Sequence, residues 1–440
     1  MNTDNERISS VLNSIGFEKL NGLQEETLKK SKSNNNILLL SQTGSGKTFA
    51  FLLPLFLNLD PKAKHIQSIV LAPSRELAQQ IETVWRSMKT NYKVLSCYGG
   101  HSIAIEKKSL IEAPAILIGT PGRICDHISR ESLDLSNLSH LVIDEYDKCL
   151  EFGFEDQLKF ICQNLHNLKS TTLVSATEHK EFPAYFVFKN PAVVNFLTES
   201  KDPDITFWHF PIKTLNKFDR LYDLLCTFKG ELTIVFCNFR EATERVRDFL
   251  QEKNFESIVY HGGMEQDERE KALIKFKNCT YHTLICTDLG SRGLDISAIQ
   301  HVVHFQFPQS EEAFIHRNGR TARMTANGSS YLLINREEKL PDYLHDGSSE
   351  YKIPSKIEAP RQSPWTTLYF SGGKKDKINK VDLVGFLSQK GGLKKEDIGL
   401  IIVQDFSSYV AVKRSGINLL LTKIQAEKVK GKKLKIDHAK

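Results

Sequence analysis

The chain of 440 residues is placed first by what it lacks. Its eight cysteines include no Cys-x-x-Cys pair and its fourteen histidines show no zinc-ligand spacing, which argues against a redox dithiol and a structural zinc site. The cysteines read as reduced, small apolar residues. No apolar run approaches the ~20 residues that a membrane-spanning helix needs. The first residues, Met1-Asn2-Thr3-Asp4-Asn5-Glu6, lack the basic start and apolar block of a secretory leader. The expectation is a soluble cytoplasmic protein with no membrane partner.

Hydrophobic residues make up 40% and charged residues 25% of the chain, the proportions of a globular protein. At this length roughly two to four domains are expected. A formal net charge of +6 conceals an uneven distribution. Residues 361–440 carry 17 Lys and Arg against 7 Asp and Glu, whereas the rest carries 42 against 46. A basic tail on a slightly acidic body suits contact with nucleic acid or another acidic surface. A solvated lysine-rich face is the alternative on composition alone.

The stretch Ser41-Gln42-Thr43-Gly44-Ser45-Gly46-Lys47-Thr48 organises the first half. Ahead of it, Asn36 to Leu40 reads as a buried strand; behind it, Phe49 to Leu59 reads as a helix that Pro54 should kink. Strand, glycine loop and helix form the setting of a phosphate-binding loop. Thr43, Gly44 and Gly46 bring backbone amides close to a polyphosphate, Lys47 bridges its outer phosphates, and Thr48 holds Mg2+. Ser41 stands where the usual pattern has glycine. The reading is a nucleoside triphosphate site.

Through residues 1–200 apolar runs alternate with helical patterns, with strands predicted at Ile37–Leu40, Ser68–Ala72, Val94–Tyr98, Ala115–Gly119, Leu141–Ile143 and Thr172–Val174. Such alternation implies a parallel sheet with helices on both faces. Each later strand runs straight into small or polar residues: Pro73-Ser74-Arg75, Gly99-Gly100, Thr120-Pro121-Gly122-Arg123, Asp144-Glu145-Tyr146-Asp147 and Ser175-Ala176-Thr177. The carboxyl ends of strands in an open α/β sheet form the ligand edge, so these clusters share one rim. Asp144 can hold a nucleotide's metal ion through water, and Glu145 can orient the attacking water.

After a connector rich in Pro and Lys (190–216), a second alternating block has strands predicted at Leu232–Cys237, Ser257–Tyr260, Thr283–Cys286, His301–Phe305 and Ser330–Ile334. It has no second Gly-Lys-Thr loop. Its strand ends carry His261-Gly262-Gly263 with Gln266 and Arg269, then Thr287 to Asp295, then His316-Arg317-Asn318-Gly319-Arg320-Thr321-Ala322-Arg323. Arginines three apart beside glycines suit contact with a transferring phosphate. Two such lobes imply a site completed when they close.

In order and spacing these clusters resemble the motifs of the DEAD-box RNA helicases over residues 16–335. Ser41–Thr48 is similar to motif I, Pro73–Leu77 to Ia, Thr120–Arg123 to Ib and Asp144–Asp147 to II. Ser175–Thr177 is similar to III, Thr287–Asp295 to V and His316–Arg323 to VI. The resemblance implies an α/β fold of two tandem RecA-like parallel-sheet domains, ATP and Mg2+ as cofactors, and RNA as partner. By it, Lys47 and Thr48 bind ATP-Mg2+, Asp144 acts through the metal, and Glu145 positions the hydrolytic water. Arg320 and Arg323 become arginine fingers, Asp295 approaches the ribose, and Ser175 and Thr177 couple closure to Asp147. Arg75, Gly100, Thr120, Arg123, Gln266, Arg269 and Thr287 fall where the family grips the RNA backbone. Phe17 and Gln24 fall where it reads adenine, without the prolines usual there. Tyr146 stands where the family has Ala. Both acids and Asp147 are retained, so hydrolysis is expected to survive with altered rate or coupling.

Pro341, Gly347-Ser348-Ser349, Pro354, Pro360 and Pro364 mark a linker over 341–364. Beyond it the predicted order is strand Thr367–Phe370, helix Val381–Gln389, strands Ile398–Gln404 and Tyr409–Val412, helix Leu419–Val429 and strand Lys433–Ile436. That is the βαββαβ order of an RNA-recognition motif, making the tail a small RRM-like α+β domain. Tyr409 is all that remains of the aromatic-rich third strand. The loop with Lys374, Lys375 and Lys377 is therefore favoured over sheet stacking as the RNA contact. Gly372-Gly373-Lys374-Lys375-Asp376-Lys377, with Asp382-Leu383-Val384-Gly385, resembles the C-terminal domain of the DbpA-type DEAD-box proteins. That resemblance implies a structured hairpin of large-subunit ribosomal RNA as target and a role in ribosome assembly. Domains are expected at 1–205, 206–340 and 365–440, with 341–364 as linker and a monomer as the working state. The expected activity is ATP-dependent local unwinding of RNA. An RNA clamp or annealing chaperone with weak ATP turnover, which Tyr146 keeps open, and a DNA translocase on the same lobes are the alternatives.

Overall fold

The structure is a computed structural model that describes residues 2–439 apart from 43, 101–102, 178–181, 187, 198–204, 213–215, 289–298, 322–327, 336–337, 340, 342–347, 355 and 359–361. Three expected site residues, Thr43, Asp295 and Arg323, lie outside the described residues. The chain divides into two compact units, one comprising the first lobe and the other the second lobe together with the C-terminal sheet.

In the first lobe, β1 (Asn36–Ser41), β2 (Ser68–Leu71), β3 (Val94–Cys97), β4 (Ile116–Gly119), β5 (His140–Ile143), β6 (Ser170–Ser175) and β7 (Ala192–Phe196) pair in the order β3-β4-β2-β5-β6-β1-β7. Every pairing is parallel. Near-continuous runs of Ile, Leu and Val suit strands covered on both faces, as a parallel sheet requires. One face packs on Phe49, Leu53 and Trp85 from helices Lys47–Leu57 and Arg75–Ser87. The other packs on Ile124, Tyr146 and Leu158 from helices Pro121–Ser129, Tyr146–Glu151 and Glu155–Gln163. The helix after the glycine loop is continuous through Pro54.

In the second lobe, β8 (Ile205–Ile212), β9 (Thr233–Cys237), β10 (Ile258–Tyr260), β11 (Thr283–Thr287), β12 (His301–His304), β13 (Gly328–Asn335) and β14 (Ser349–Glu350) form another parallel sheet, ordered β10-β11-β9-β12-β13-β8-β14. β7 and β8 correct the sequence reading, which took 190–216 for a connector. β7 is an edge strand with only Val194 fully buried, so it lacks a long apolar run. Pro211 in β8 argues against a central strand. The His209 carbonyl accepts the Tyr351 amide, so by strand alternation the Pro211 nitrogen, which has no hydrogen to donate, also faces the β14 edge, and β14 pairs only with Trp208 and His209. The segment expected as a linker contributes β14, and Tyr351, Ile353 and Ile357 pack against the second lobe's core.

The tail forms a four-stranded antiparallel sheet from β15 (Trp365–Phe370), β16 (Ile398–Val403), β17 (Ser408–Lys413) and β20 (Ile436–His438), ordered β16-β17-β15-β20. Helices Lys380–Gln389 and Ile417–Ile424 cover one face through Leu383, Leu387, Leu420 and Ile424. The second helix ends five residues before the expected Val429, because Lys430 (φ 49°) and Gly431 (φ 79°) make a tight hairpin turn between β18 (Lys428–Val429) and β19 (Lys432–Lys433). The opposite face of the sheet rests on the second lobe. Thr367 Oγ1 meets Asn278 Nδ2 at 3.2 Å and Thr280 Oγ1 at 2.7 Å, all three residues being buried. Gln404 Nε2 donates to Glu270 Oε2 at 2.9 Å. Among the described residues no helix is long and apolar enough to cross a membrane.

Candidate nucleotide and RNA site

The strand order places β5, β6 and β1 side by side. The loops that follow them therefore emerge together on one rim. After β1, Gly44 (φ 87°) and Gly46 (φ 90°) take left-handed conformations that a side chain would strain. A Cβ at Gly46 would also lie 2.8 Å from Gln24 Nε2. Gln24 is set there by reciprocal caps, its backbone amide donating to Asn21 Oδ1 (2.9 Å) and its Oε1 accepting from the Asn21 amide (3.0 Å). Asn21 Nδ2 in turn donates to the Ser45 carbonyl at 3.0 Å. Phe17 meets Phe49 edge-on at 6.5 Å, so the expected adenine readers flank the glycine loop. Lys47 Nζ donates to the Ser41 carbonyl at 2.8 Å.

After β5, Asp144 is buried, and Glu145 takes a left-handed backbone (φ 46°), a conformation that costs a non-glycine residue about 1–3 kcal/mol. Burial, reinforced by the Glu145 charge and opposed by Lys47, raises the Asp144 carboxyl to about 7. Asp147 is likewise raised, chiefly by burial. After β6, Thr177 Oγ1 donates to Asp147 Oδ2 (3.4 Å), and Ser175 Oγ accepts the Thr177 amide (3.1 Å). Tyr146 turns away from this rim. It is fully buried in the core, 5.6 Å from the ring of Phe186 and 6.1 Å from that of Phe182. The phenol adds bulk to the core rather than to the rim.

The other rim loops of the lobe gather the expected RNA contacts. Ser74 caps the helix that begins with Arg75, and the Arg75 guanidinium lies where a Cβ on Gly99 would come within 2.8 Å of Nη2. Thr120 is the N-cap of helix Pro121–Ser129, and Arg123 Nε donates to Glu106 Oε2 at 2.7 Å. In the second lobe Gln266 opens helix Gln266–Lys277 and donates to Glu270 Oε1 at 3.1 Å. Arg269 lies over Tyr260, 5.2 Å from its ring centroid, and Thr287 closes β11. Arg320 is buried just beyond helix Glu311–Asn318. Arg317 is a scaffold residue that the sequence reading did not single out. It is 1% exposed and forks onto Asp288 at 2.6 and 2.7 Å while also donating to Asn238 Oδ1 and the Gln306 carbonyl. It joins three strand-end loops of the rim. A cavity of about 280 Å³ near Phe228, Thr233, His282 and Thr283 opens at the amino ends of β9 and β11, the opposite edge, and plays no part in this rim.

In the tail, glycines are required where the lysine loop meets the β16–β17 turn: a Cβ at Gly373 would lie 2.2 Å from the Gln404 carbonyl. The Lys374 and Lys375 amides donate to the carbonyls of Gln404 and Asp405, which leaves both side chains on the surface. Lys430, reaching the Lys377 carbonyl, and Lys432, paired with Asp376, extend the same basic surface. The sequence reading ran a helix to Val429 and so did not foresee the β18–β19 hairpin that carries these two. The sheet face is a different matter: Tyr409 is 5% exposed and Thr367 touches the second lobe.

Comparison with known proteins agrees with this layout. Family models match residues 21–183 (DEAD/DEAH box helicase), 216–325 (helicase conserved C-terminal domain) and 367–438 (DbpA RNA binding domain). The chain is 30% identical over 465 aligned positions to the ATP-dependent RNA helicase DbpA of Bacillus subtilis (strain 168), covering 98% of this chain and 97% of that one. It is 31% identical to DbpA of Escherichia coli (strain K12), covering 97% and 95%. Among solved structures, S. cerevisiae Dbp5 bound to RNA and ADP BeF3 matches with a TM-score of 0.70 at 25% identity, over 78% of this chain and 93% of that one. With all three family modules in order and full-length similarity at this level, the chain belongs to the DEAD-box ATP-dependent RNA helicases of the DbpA type.

Proposed function

We propose that ATP is hydrolysed at the β5-β6-β1 rim and that the RNA served is structured large-subunit ribosomal RNA during subunit assembly. The observation that carries the first part is the adjacency of those three strands, which sets Lys47, Asp144–Glu145 and Asp147–Thr177–Ser175 beside one another. Phe17 and Gln24 hold the adenine. The amides around Thr43, Gly44 and Gly46 take the phosphates, with Lys47 leaving the Ser41 carbonyl for a phosphate oxygen. Thr48 and Asp144 are oxygen donors of the kind Mg2+ prefers, and a carboxyl raised by burial beside a second acid suits a cation partner. When bound, Mg2+ neutralises charge on the phosphates.

Glu145, held by its left-handed backbone, orients the attacking water. Arg320 and Arg323 stabilise charge on the transferring phosphate, and Asp295 takes the ribose. The Asp147–Thr177–Ser175 chain ties the acidic loop to the end of β6, so a shift at one is felt at the other. Arg75, Gly100, Thr120 and Arg123 on the first lobe, and Gln266, Arg269 and Thr287 on the second, hold the RNA backbone.

Lys374, Lys375 and Lys377 anchor the structured RNA. Their surface position, the occupied sheet face and the family match over 367–438 support that reading. The working state is a cytoplasmic monomer. A clamp that barely turns over ATP loses its support, since Tyr146 lies in the core. The test is the steady-state ATPase rate without RNA, with generic single-stranded RNA and with large-subunit ribosomal RNA. Strongest stimulation by ribosomal RNA is expected. Equal stimulation by any RNA rejects the ribosomal target, and no stimulation by any of them overturns RNA-driven hydrolysis at this rim.

A further inference from the structure

Behind the first lobe's RNA-facing loops lies a buried carboxylate that the sequence motifs leave out. Glu106, in helix Ile103–Leu110, is 5% exposed. Its Oε2 accepts from Arg123 Nε and faces His127 Nε2, each at 2.7 Å. Its Oε1 accepts the Tyr98 backbone amide at 3.3 Å. Tyr98 precedes the Gly99-Gly100 turn on which the Arg75 guanidinium lies. His127 is fully buried, and its other ring nitrogen meets Ser132 Oγ at 2.8 Å. One carboxylate thus joins the Gly99-Gly100 turn, the Arg123 guanidinium and helix Pro121–Ser129.

We propose that Glu106 is the positioning residue of the first lobe's RNA grip, holding Arg123 and the Gly99-Gly100 turn in the register that a sugar–phosphate backbone requires. The inference rests on the RNA-contact reading above. A guanidinium bonded through Nε has its plane and direction fixed, which matters for a residue that must meet phosphate oxygens in a fork. The surrounding chemistry is that of a hydrogen-bond hub rather than a cation site. Cys97 Sγ lies within 4.8 Å of the ligand atoms of Glu106 and His127. Burial, reinforced by Glu106, holds that thiol protonated far above the usual thiol range. Glu106 Oε2 is already engaged by Arg123 and faces His127. Glu106 touches neither ATP nor RNA; it acts through Arg123 and the turn.

The test is a double-mutant cycle of Glu106→Gln and Arg123→Ala in the full chain, read as the RNA concentration giving half-maximal ATPase stimulation. Glu106→Gln should raise that concentration about tenfold, move the rate at saturating RNA less than twofold and lower the salt slope of RNA binding by about one, as removal of Arg123 does. In the Arg123→Ala background it should add less than twofold, because the two act as a unit. A half-saturating concentration unchanged from the parent, or a full tenfold added to Arg123→Ala, overturns the proposal. Should Glu106→Gln fail to fold, Glu106→Asp keeps the charge and withdraws it by one methylene. It should still raise the half-saturating concentration at least threefold, and parental behaviour overturns the proposal. A parent chain that RNA does not stimulate is a failure of the functional reading instead.

Discussion

Replacing Tyr146 by Ala restores the residue usual at this position of the family and should nonetheless damage this chain. The side chain is fully buried in the core, with the Phe186 and Phe182 rings at 5.6 and 6.1 Å. A buried aromatic ring removes roughly 150–250 Å² from water, near 4–6 kcal/mol at about 25 cal/mol per Å². The Cβ that remains recovers part of this. Aromatic-to-Ala changes in cores cost about 3–5 kcal/mol, so about 4 kcal/mol is expected. For a lobe of this size that lowers the midpoint of its thermal transition by roughly 8–16 °C. The assay is calorimetry of the full chain, paired with RNA-stimulated ATPase measured well below the transition. Turnover there should stay within threefold of the parent, because the ring points away from the rim. A transition moved by less than about 3 °C, together with a tenfold change in turnover, would refute the packing argument and return Tyr146 to the chemistry.

Glu145→Gln should keep ATP binding and lower turnover at least a hundredfold; unchanged hydrolysis would remove Glu145 from the water-positioning role. Lys374→Ala with Lys375→Ala should weaken binding to ribosomal RNA and reduce the salt slope by about two, measured by titration at several ionic strengths. An unaltered slope would place the tail's RNA contact elsewhere. His304 is buried against Asn318 and Ser330, and burial pushes its imidazole from the ordinary 6.5 down to about 3. Its neutral form is the one that folds, so its contribution to stability is complete above pH 6.5 and lost as pH falls toward 3. At pH 5 the loss is about 2 kcal/mol. Denaturant midpoints at pH 7 and pH 5 should differ by less in His304→Gln, and an equal difference would clear this residue.

The parts legible in sequence were those written locally. Apolar runs that end in glycine, acid or hydroxyl mark strand ends in a parallel sheet, which is why Lys47, Asp144, Glu145 and Ser175 can be placed on one rim from the sequence alone. What stayed hidden depends on partners far along the chain. Glu106 carries no motif, and its meaning comes from Arg123 and His127 folding over it. Arg317 looked like one more basic residue on a helix until Asp288, Asn238 and Gln306 closed around it. β7 and β8 were missed because an edge strand and a strand containing Pro211 break the apolar pattern that local reading relies on. The tail's seating on the second lobe is likewise invisible locally, since a threonine such as Thr367 gives no sign that Asn278 and Thr280 await it.

The left-handed backbone at Glu145 has an evolutionary corollary. Glycine and asparagine enter that conformation more readily than glutamate. Lineages that kept the protein as a passive binder, with no selection for turnover, should drift at this position toward Gly or Asn and gain thermal robustness as they lose catalysis. An acid kept at position 145 would then mark a descendant in which hydrolysis is still selected, a one-letter record of a working motor.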